Sequence, residues 1–170
     1  IFLGNVFDAP EQNFEMLPIW FEHTGAPSST GDKHWIVGNV FNNFVFSSFG
    51  IFGSEDVATT NHILFNNIFN EVSRPWRILN DSALPEYSDY NGYHRASGDE
   101  QFDINGTTYW TVDSLKAALP YEVNSVQADP LLAADFSLNA GSSALGSGVS
   151  GTDQGVYLVG NEKIGYIGLV

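Results

Sequence analysis

An asparagine, a variable residue, an aromatic residue and a polar residue follow one another at four places in the first hundred residues of this chain. The four copies are Asn5-Val6-Phe7-Asp8, Asn39-Val40-Phe41-Asn42, Asn67-Ile68-Phe69-Asn70 and Asn91-Gly92-Tyr93-His94. Successive asparagines are separated by 34, 28 and 24 residues. A repeat of this size predicts one supersecondary unit stacked on copies of itself, because such a unit cannot bury its apolar face alone.

Short apolar runs surround the asparagines and are typical of β-strands. Trp35-Ile36-Val37, for example, precedes Asn39 and is rich in β-branched and aromatic residues. A second run follows each of the first three asparagines, at residues 18–22, 50–54 and 75–79, and its apolar residues Ile19, Ile51 and Trp76 lie 9–14 residues after the asparagine. Helical spacing of apolar residues is missing before about residue 111. Each repeat is therefore predicted to contain a strand, a one-residue asparagine turn and at least two further strands.

The repeat motif has its last copy at residues 91–94, and the sequence pattern changes after it. Asn105-Gly106 predicts a tight turn. Thr111-Val112-Asp113-Ser114 offers N-cap chemistry for a short helix that runs through about Leu119 and is ended by Pro120. We therefore expect one domain, with stacked repeats over residues 1–94 and a C-terminal closing region over residues 95–170.

Several segments together resemble the right-handed parallel β-helix proteins of the pectate-lyase-like superfamily. They are the Asn-x-aromatic repeat, Ser88-Asp89-Tyr90-Asn91, Ala128-Asp129-Pro130 and the tail from Phe136-Ser137-Leu138 to Gly148. The resemblance covers nearly the whole chain and implies an all-β right-handed parallel β-helix, of which this chain is the C-terminal portion. It does not fix an activity, because such helices include lyases, hydrolases, epimerases, tailspikes and adhesins.

The four asparagines are interpreted as a scaffold and not as a site. Adjacent parallel strands lie about 4.8 Å apart, so stacked asparagine amides can hydrogen-bond along the stack. The aromatic residue two positions later is expected to stack on its counterparts in the core. In the family that the chain resembles, such a ladder is structural.

Composition excludes several classes of protein. Hydrophobic residues make up 43% of the chain, which is too many for a disordered one. Twenty acidic residues against six basic ones give a net charge of −14, which argues against nucleic acid as a partner. There is no cysteine and no apolar stretch long enough to span a membrane. The cofactor stays unknown; Ca²⁺ could bridge an anionic glycan, although no known calcium-loop motif is present.

The second apolar run of each repeat supplies the candidate binding surface. In the enzymes of the family that the chain resembles, the substrate cleft follows the outer face of the strand that precedes the longest loops. Side chains alternate across a strand, and with Ile19, Ile51 and Trp76 inward the outward column is Trp20, Phe52 and Arg77. Aromatic faces and a guanidinium suit a sugar. The alternative is that an inserted loop covers Trp20 and Phe52 as secondary core.

Ionisable residues in the following loops are the catalytic candidates: Glu22, His23, Glu55 and Asp56. A glycoside hydrolase needs two carboxyl groups about 5–10 Å apart, and Glu22 with Glu55 or Asp56 on the adjacent repeat fits that spacing. A β-eliminating lyase needs a base and a cation that neutralises the uronate; His23 with Arg77 is the nearby pair. The sequence leaves open whether either reaction occurs.

Two functions therefore compete. The first is a secreted or cell-surface carbohydrate-active protein that forms the C-terminal part of a polysaccharide lyase or glycoside hydrolase and binds a polysaccharide or oligosaccharide. The second is a non-catalytic structural or adhesive β-helix of an extracellular assembly, fibre or tailspike. Because residues 1–3 already look like part of a repeat, we expect upstream coils or another subunit to cover the N-terminal end.

Overall fold

A computed structural model describes residues 2–9, 19–21, 34–44, 52–54, 62–79, 84–97 and 102–155. These residues form mostly short β-strands with one short helix, α1 (Val112–Ala118). In chain order the strands are β1 (Phe2–Leu3), β2 (Val6–Asp8), β3 (Ile19–Phe21), β4 (Trp35–Val37), β5 (Val40–Asn42), β6 (Phe52–Ser54), β7 (Ile63–Phe65), β8 (Ile68–Asn70), β9 (Trp76–Ile78), β10 (Tyr87–Asp89), β11 (Gly92–His94), β12 (Phe102–Ile104), β13 (Thr107–Tyr109) and β14 (Val126–Gln127).

The strands form three sheets that the chain visits in the same order four times. Sheet A has the order β1-β4-β7-β10, sheet B has β2-β5-β8-β11-β14, and sheet C has β3-β6-β9-β12-β13. Every neighbouring pair is parallel except β12 with β13, which form an antiparallel hairpin. We call the successive triplets of strands repeats 1 to 4. The prediction of a predominantly β chain is confirmed for the described residues, and their strands form parallel sheets.

The turn from sheet A to sheet B requires a left-handed residue in every repeat. Gly4, Gly38, Asn66 and Tyr90 have φ values of 60°, 63°, 56° and 57°. Each of them comes directly before a ladder asparagine, so the predicted one-residue asparagine turn is in fact a two-residue turn. Glycine and asparagine adopt this conformation most readily, which explains three of the four residue types.

The side chains of the four repeat asparagines form the hydrogen-bonded ladder that the sequence predicts. Asn5, Asn39 and Asn67 each donate Nδ2–H to Oδ1 of the next ladder asparagine, at 3.1, 3.0 and 3.0 Å. The same three Oδ1 atoms, on Asn39, Asn67 and Asn91, also accept the backbone N–H of the preceding ladder residue at 2.9, 3.1 and 3.0 Å. Both polar ends of each inner amide are therefore satisfied without water, which makes a row of buried amides tolerable.

A row of aromatic rings runs parallel to the ladder. Phe7, Phe41, Phe69 and Tyr93 stack with successive ring centroids 5.0 Å apart and interplanar angles of 4°, 11° and 4°. Phe41, Phe69 and Tyr93 are fully buried, and they belong to the central core together with Ile36, Leu64 and Trp76. The expectation that the aromatic position stacks in the core is confirmed.

Residues 132–154 cover the outer side of sheet B. Val40 and Ile68, the variable residues of two repeats, are buried against Ala144 and the half-buried Leu132, Phe136 and Leu138. In repeat 4 the variable residue is Gly92, where a Cβ would lie 2.6 Å from Oε1 of Gln154. A larger residue at this place would require the Gln154 side chain to move.

The predicted turn and helix are also confirmed. Asn105 and Gly106 link β12 to β13 with φ values of 46° and 77°. Thr111 caps α1 by accepting the Ser114 N–H at 3.0 Å, and the Ser114 hydroxyl accepts the Thr111 N–H at 3.1 Å. This reciprocal capping explains how a helix of seven residues starts where it does.

The ladder gives a stability prediction. Replacement of Asn67 by alanine removes the acceptor of two Asn39 donors and the donor to the Ile36 carbonyl, all of them buried. We expect Asn67→Ala to lower the free energy of unfolding by about 3–5 kcal/mol, since each buried group left unpaired costs about 1–3 kcal/mol. Urea denaturation monitored by circular dichroism measures the change.

The matched control is the same substitution at the exposed end of the ladder, Asn5→Ala. It should cost less than about 1 kcal/mol, as most surface substitutions do. Equal losses at the two positions would contradict a role for burial in the ladder.

Candidate functional site

The strands of sheet C contain the three predicted binding residues. Trp20 lies in β3, Phe52 in β6 and Arg77 in β9. In β9 the flanking Trp76 and Ile78 are fully buried while Arg77 is partly exposed, so alternate positions face the core and the outside.

The pairing of strands corrects one of these three positions. Phe52 pairs with Ile19 and with Trp76, whereas Gly53 pairs with Trp20 and with Arg77. The predicted column of Trp20, Phe52 and Arg77 is therefore wrong in register at β6, and the residue between Trp20 and Arg77 is Gly53. The prediction placed Ile51 toward the core and Phe52 outward. Both residues are apolar and adjacent, so alternation alone cannot decide which of them is in register with Trp76.

The four catalytic candidates, Glu22, His23, Glu55 and Asp56, lie outside the described residues.

The column continues into repeat 4 with residues that the sequence reasoning missed. Asp103 pairs with Arg77 and, across the hairpin, with Thr108. Arg74 Nε lies 2.8 Å from Asp103 Oδ2, and the Thr108 hydroxyl donates to Asp103 Oδ1 at 2.8 Å. The signal was present: Phe102-Asp103-Ile104 repeats the aromatic, charged and aliphatic order of Trp76-Arg77-Ile78.

An exposed indole adjoins this column. Trp110 directly follows β13, two residues after Thr108, and its side chain is 50% exposed. We call Arg74, Arg77, Asp103, Thr108 and Trp110 the sheet C surface. It combines two guanidinium groups, a carboxylate held in place by two donors, a hydroxyl and an aromatic face. These groups can hydrogen-bond hydroxyls and pack on an apolar ring face.

The last position of the repeat motif forms a second polar row, on sheet B. Asn70 donates Nδ2–H to Asn42 Oδ1 at 2.7 Å, and Asn42 donates to Asp8 Oδ1 at 2.8 Å. In repeat 4 the position holds His94, whose Nε2 lies 3.6 Å from Glu71 Oε1 and 4.0 Å from Asp129 Oδ2. Contacts between neighbouring segments account for this row, and they give His94 a structural position between Glu71 and Asp129.

The asparagine ladder ends on a buried carboxyl group, that of Glu122. Asn91 Nδ2 lies 3.2 and 3.1 Å from the two carboxyl oxygens of Glu122, and the hydroxyls of Ser88 and Ser125 also donate to it. The Ser125 hydroxyl in turn accepts the Asn91 N–H at 2.8 Å. Complete burial raises the pKa of Glu122, and hydrogen bonds from Ser125, Ser88, Asn91 and Tyr93 oppose that rise.

Within the described ranges, no group of three or more histidine, aspartate and glutamate side chains is arranged to hold a metal ion. The described residues also include no helix of the length and apolarity that a membrane crossing requires.

Comparison with known proteins adds no identification. No protein-family model matches the sequence, and searches of curated proteins and of solved structures found no significant match.

The burial of Glu122 predicts a pH dependence of stability. Because its pKa is higher in the folded chain than in the unfolded one, the folded chain holds the proton to higher pH. The free energy of unfolding contributed by this group should therefore fall as the pH rises from the ordinary glutamate value through the raised one. Urea denaturation over a pH series should show a wild-type stability that declines relative to Glu122→Gln across this interval.

The comparison with Glu122→Gln removes the contribution of the other carboxyl groups, which are common to both proteins. A stability difference that is constant with pH, or that grows in favour of the wild type as the pH rises, would contradict the raised pKa.

Proposed function

We propose that this chain is an extracellular carbohydrate-binding protein and that it binds an oligosaccharide or polysaccharide on the sheet C surface. The observation that carries the proposal is the half-exposed indole of Trp110 beside the row of Arg77, Asp103 and Thr108. Protein sites for sugars need an apolar ring face for stacking and fixed polar groups that orient the hydroxyls.

The polar groups of this surface are held in position before a ligand arrives. Asp103 accepts from Thr108 and pairs with Arg74; Asp103 and Thr108 lie in short strands, and Arg74 lies two residues before β9. Groups that are already ordered lose less conformational entropy on binding. Gly53, between Trp20 and Arg77 in the paired strands, carries no side chain, so a ring can approach the backbone there.

We further propose that the three sheets form a right-handed parallel β-helix of the pectate-lyase-like kind. Parallel pairing between equivalent strands of successive repeats, the fixed order of sheets A, B and C, and the asparagine ladder all support this architecture. The same features support the resemblance on which the carbohydrate hypothesis partly depends.

A catalytic role as part of a polysaccharide lyase or glycoside hydrolase is the stronger form of the proposal. Its candidates are still Glu22, His23, Glu55 and Asp56. Binding depends only on the sheet C surface, whereas catalysis would also require these four residues. A reducing-sugar assay and an ultraviolet assay for unsaturated uronates over a glycan panel test catalysis, with Glu22→Gln and His23→Ala as controls.

The binding proposal predicts the effect of removing the indole. Trp110→Ala should weaken binding to the glycan that the wild type binds best by about tenfold, because an aromatic stacking contact contributes roughly 1–1.5 kcal/mol. Arg77→Ala should weaken it as well. Isothermal titration calorimetry on glycans chosen by an array measures both effects.

The matched control is Tyr87→Ala, which removes an aromatic side chain of similar exposure on sheet A. It should leave the affinity unchanged. If no glycan binds, or if Tyr87→Ala and Trp110→Ala have equal effects, the proposal is wrong.

The alternative function is a non-catalytic structural or adhesive role in an extracellular assembly. Leu3 and Val6 of repeat 1 are 58% and 37% exposed, and apolar exposure at this end favours contact with another polypeptide. Sedimentation velocity separates the alternatives: concentration-dependent association that Val6→Ser abolishes, together with a blank glycan array, would favour assembly.

A further inference from the structure

The dipeptide Asn-Gly occurs twice in this chain, and the fold places the two copies in opposite environments. Asn105-Gly106 forms the turn between β12 and β13, and both residues are exposed. Asn91-Gly92 lies at the start of β11, and both residues are buried. Asparagine is chemically labile, and a following glycine has no Cβ to hinder the approach of its nitrogen to the asparagine side chain. The two copies share this chemistry and differ in what surrounds it.

The backbone nitrogen of Gly106 is open to reaction. Among the described residues, none accepts a hydrogen bond from its N–H. A Cβ placed on Gly106 would meet no heavy atom within 4 Å beyond its chain neighbours, so there is space around the turn. The nitrogen can therefore approach the neighbouring side chain without displacing a packed group.

Asn105, which supplies the carboxamide, is held in the turn but exposed to water. Its backbone N–H donates to the Ile78 carbonyl at 2.7 Å, and the residue takes part in a further interaction. Water can replace an exposed contact at a small net cost, because one hydrogen bond is exchanged for another. The reaction therefore needs only a local movement of the turn, which exposed loop tips undergo without unfolding of the whole chain.

The same groups are occupied in the buried copy. The Gly92 N–H donates to the Asn67 carbonyl at 2.8 Å. Asn91 Nδ2 lies 3.2 and 3.1 Å from the carboxyl oxygens of Glu122, and Asn91 Oδ1 accepts Nδ2–H of Asn67 at 3.0 Å. Attack by the Gly92 nitrogen would break these buried hydrogen bonds, so Asn91 reacts only when the fold opens.

We propose that Asn105 is a site of spontaneous deamidation through a cyclic imide. The Gly106 nitrogen attacks Asn105 Cγ and gives up its proton to water, while Nδ2 takes up a proton and leaves as ammonia. Water then opens the imide. Cleavage of the new bond from nitrogen to Cγ gives aspartate, whereas cleavage of the original peptide bond gives isoaspartate, in which the backbone runs through Cγ. The reaction needs water alone and is independent of glycan binding.

The product alters the edge of the sheet C surface. Either form carries a new carboxylate two residues from Asp103. Isoaspartate also lengthens the backbone of a turn that joins the pairs Ile104 with Thr107 and Asp103 with Thr108. The modified chain therefore differs in charge and in turn geometry beside the hydrogen bond from Thr108 to Asp103.

Timed incubation of the folded full chain near neutral pH, followed by trypsin digestion and mass spectrometry, measures the reaction. Trypsin separates the two copies, with Asn91 in residues 78–95 and Asn105 in residues 96–116. We expect Asn105 to deamidate at least about a hundredfold faster than Asn91, because the open state through which Asn91 reacts holds only about 10⁻³ to 10⁻⁶ of the molecules. Isoaspartate together with aspartate identifies the imide route, since direct hydrolysis of the amide gives aspartate alone.

Incubation of the same chain in urea is the matched control, because unfolding removes the difference in environment and keeps both dipeptides. The two sites should then react at similar rates. Asn105→Gln should abolish deamidation in residues 96–116 and leave the circular dichroism spectrum unchanged. Equal rates at the two sites in the folded chain, absence of isoaspartate at Asn105, or protection of Asn105 by folding as strong as that of Asn91 would each overturn the proposal.

Discussion

The row of hydrogen bonds from Asn5 to Asn91 is the constraint on which the rest of the structure depends. Each amide has one neighbour that donates to it and one that accepts from it, so all the inner amides must point the same way. A slip of one residue between two repeats would leave buried donors and acceptors unpaired, at a cost of about 1–3 kcal/mol each. The ladder therefore fixes the register of the strands on both sides of it.

The end of the ladder explains why a carboxyl group is buried in this chain. After Asn91 the acceptor of the Nδ2–H is not another asparagine but the carboxyl group of Glu122. The hydroxyls of Ser88 and Ser125 also donate to this carboxyl group. Successive aligned amides polarise one another, and such a row ends favourably on an acceptor that can carry negative charge. Burial opposes that charge, which is why the stability of the fold should respond to pH.

Much of the scaffold could be predicted from the sequence because its signals are local and repeated. The asparagine and aromatic positions, the Asn105-Gly106 turn and the cap at Thr111 each have a residue type that the local structure requires. The register of β6 could not be predicted, because Ile51 and Phe52 fit the alternation of side chains equally well. Only the pairing of Phe52 with Trp76 decides between the two registers. Glu122 could not be found either, since no period in the sequence connects it to Asn91.

The candidate site was only partly predictable for a related reason. Arg77 was identified because it alternates with Trp76 in a clear strand, whereas Asp103, Thr108 and Trp110 follow a stretch where the repeat motif has ended. What brings them together is the continuation of sheet C through β12 and the hairpin. A surface on a parallel sheet is made of such columns across strands, and these columns are visible only when the register of the strands is known.

Hydrogen exchange of the ladder asparagines, followed by nuclear magnetic resonance, tests the central claim most directly. The side-chain and backbone amide protons of Asn39 and Asn67 should exchange only when the fold opens globally, whereas the side-chain protons of the exposed Asn5 should exchange rapidly. Rapid exchange at Asn39 and Asn67 under native conditions would contradict a buried, continuous ladder.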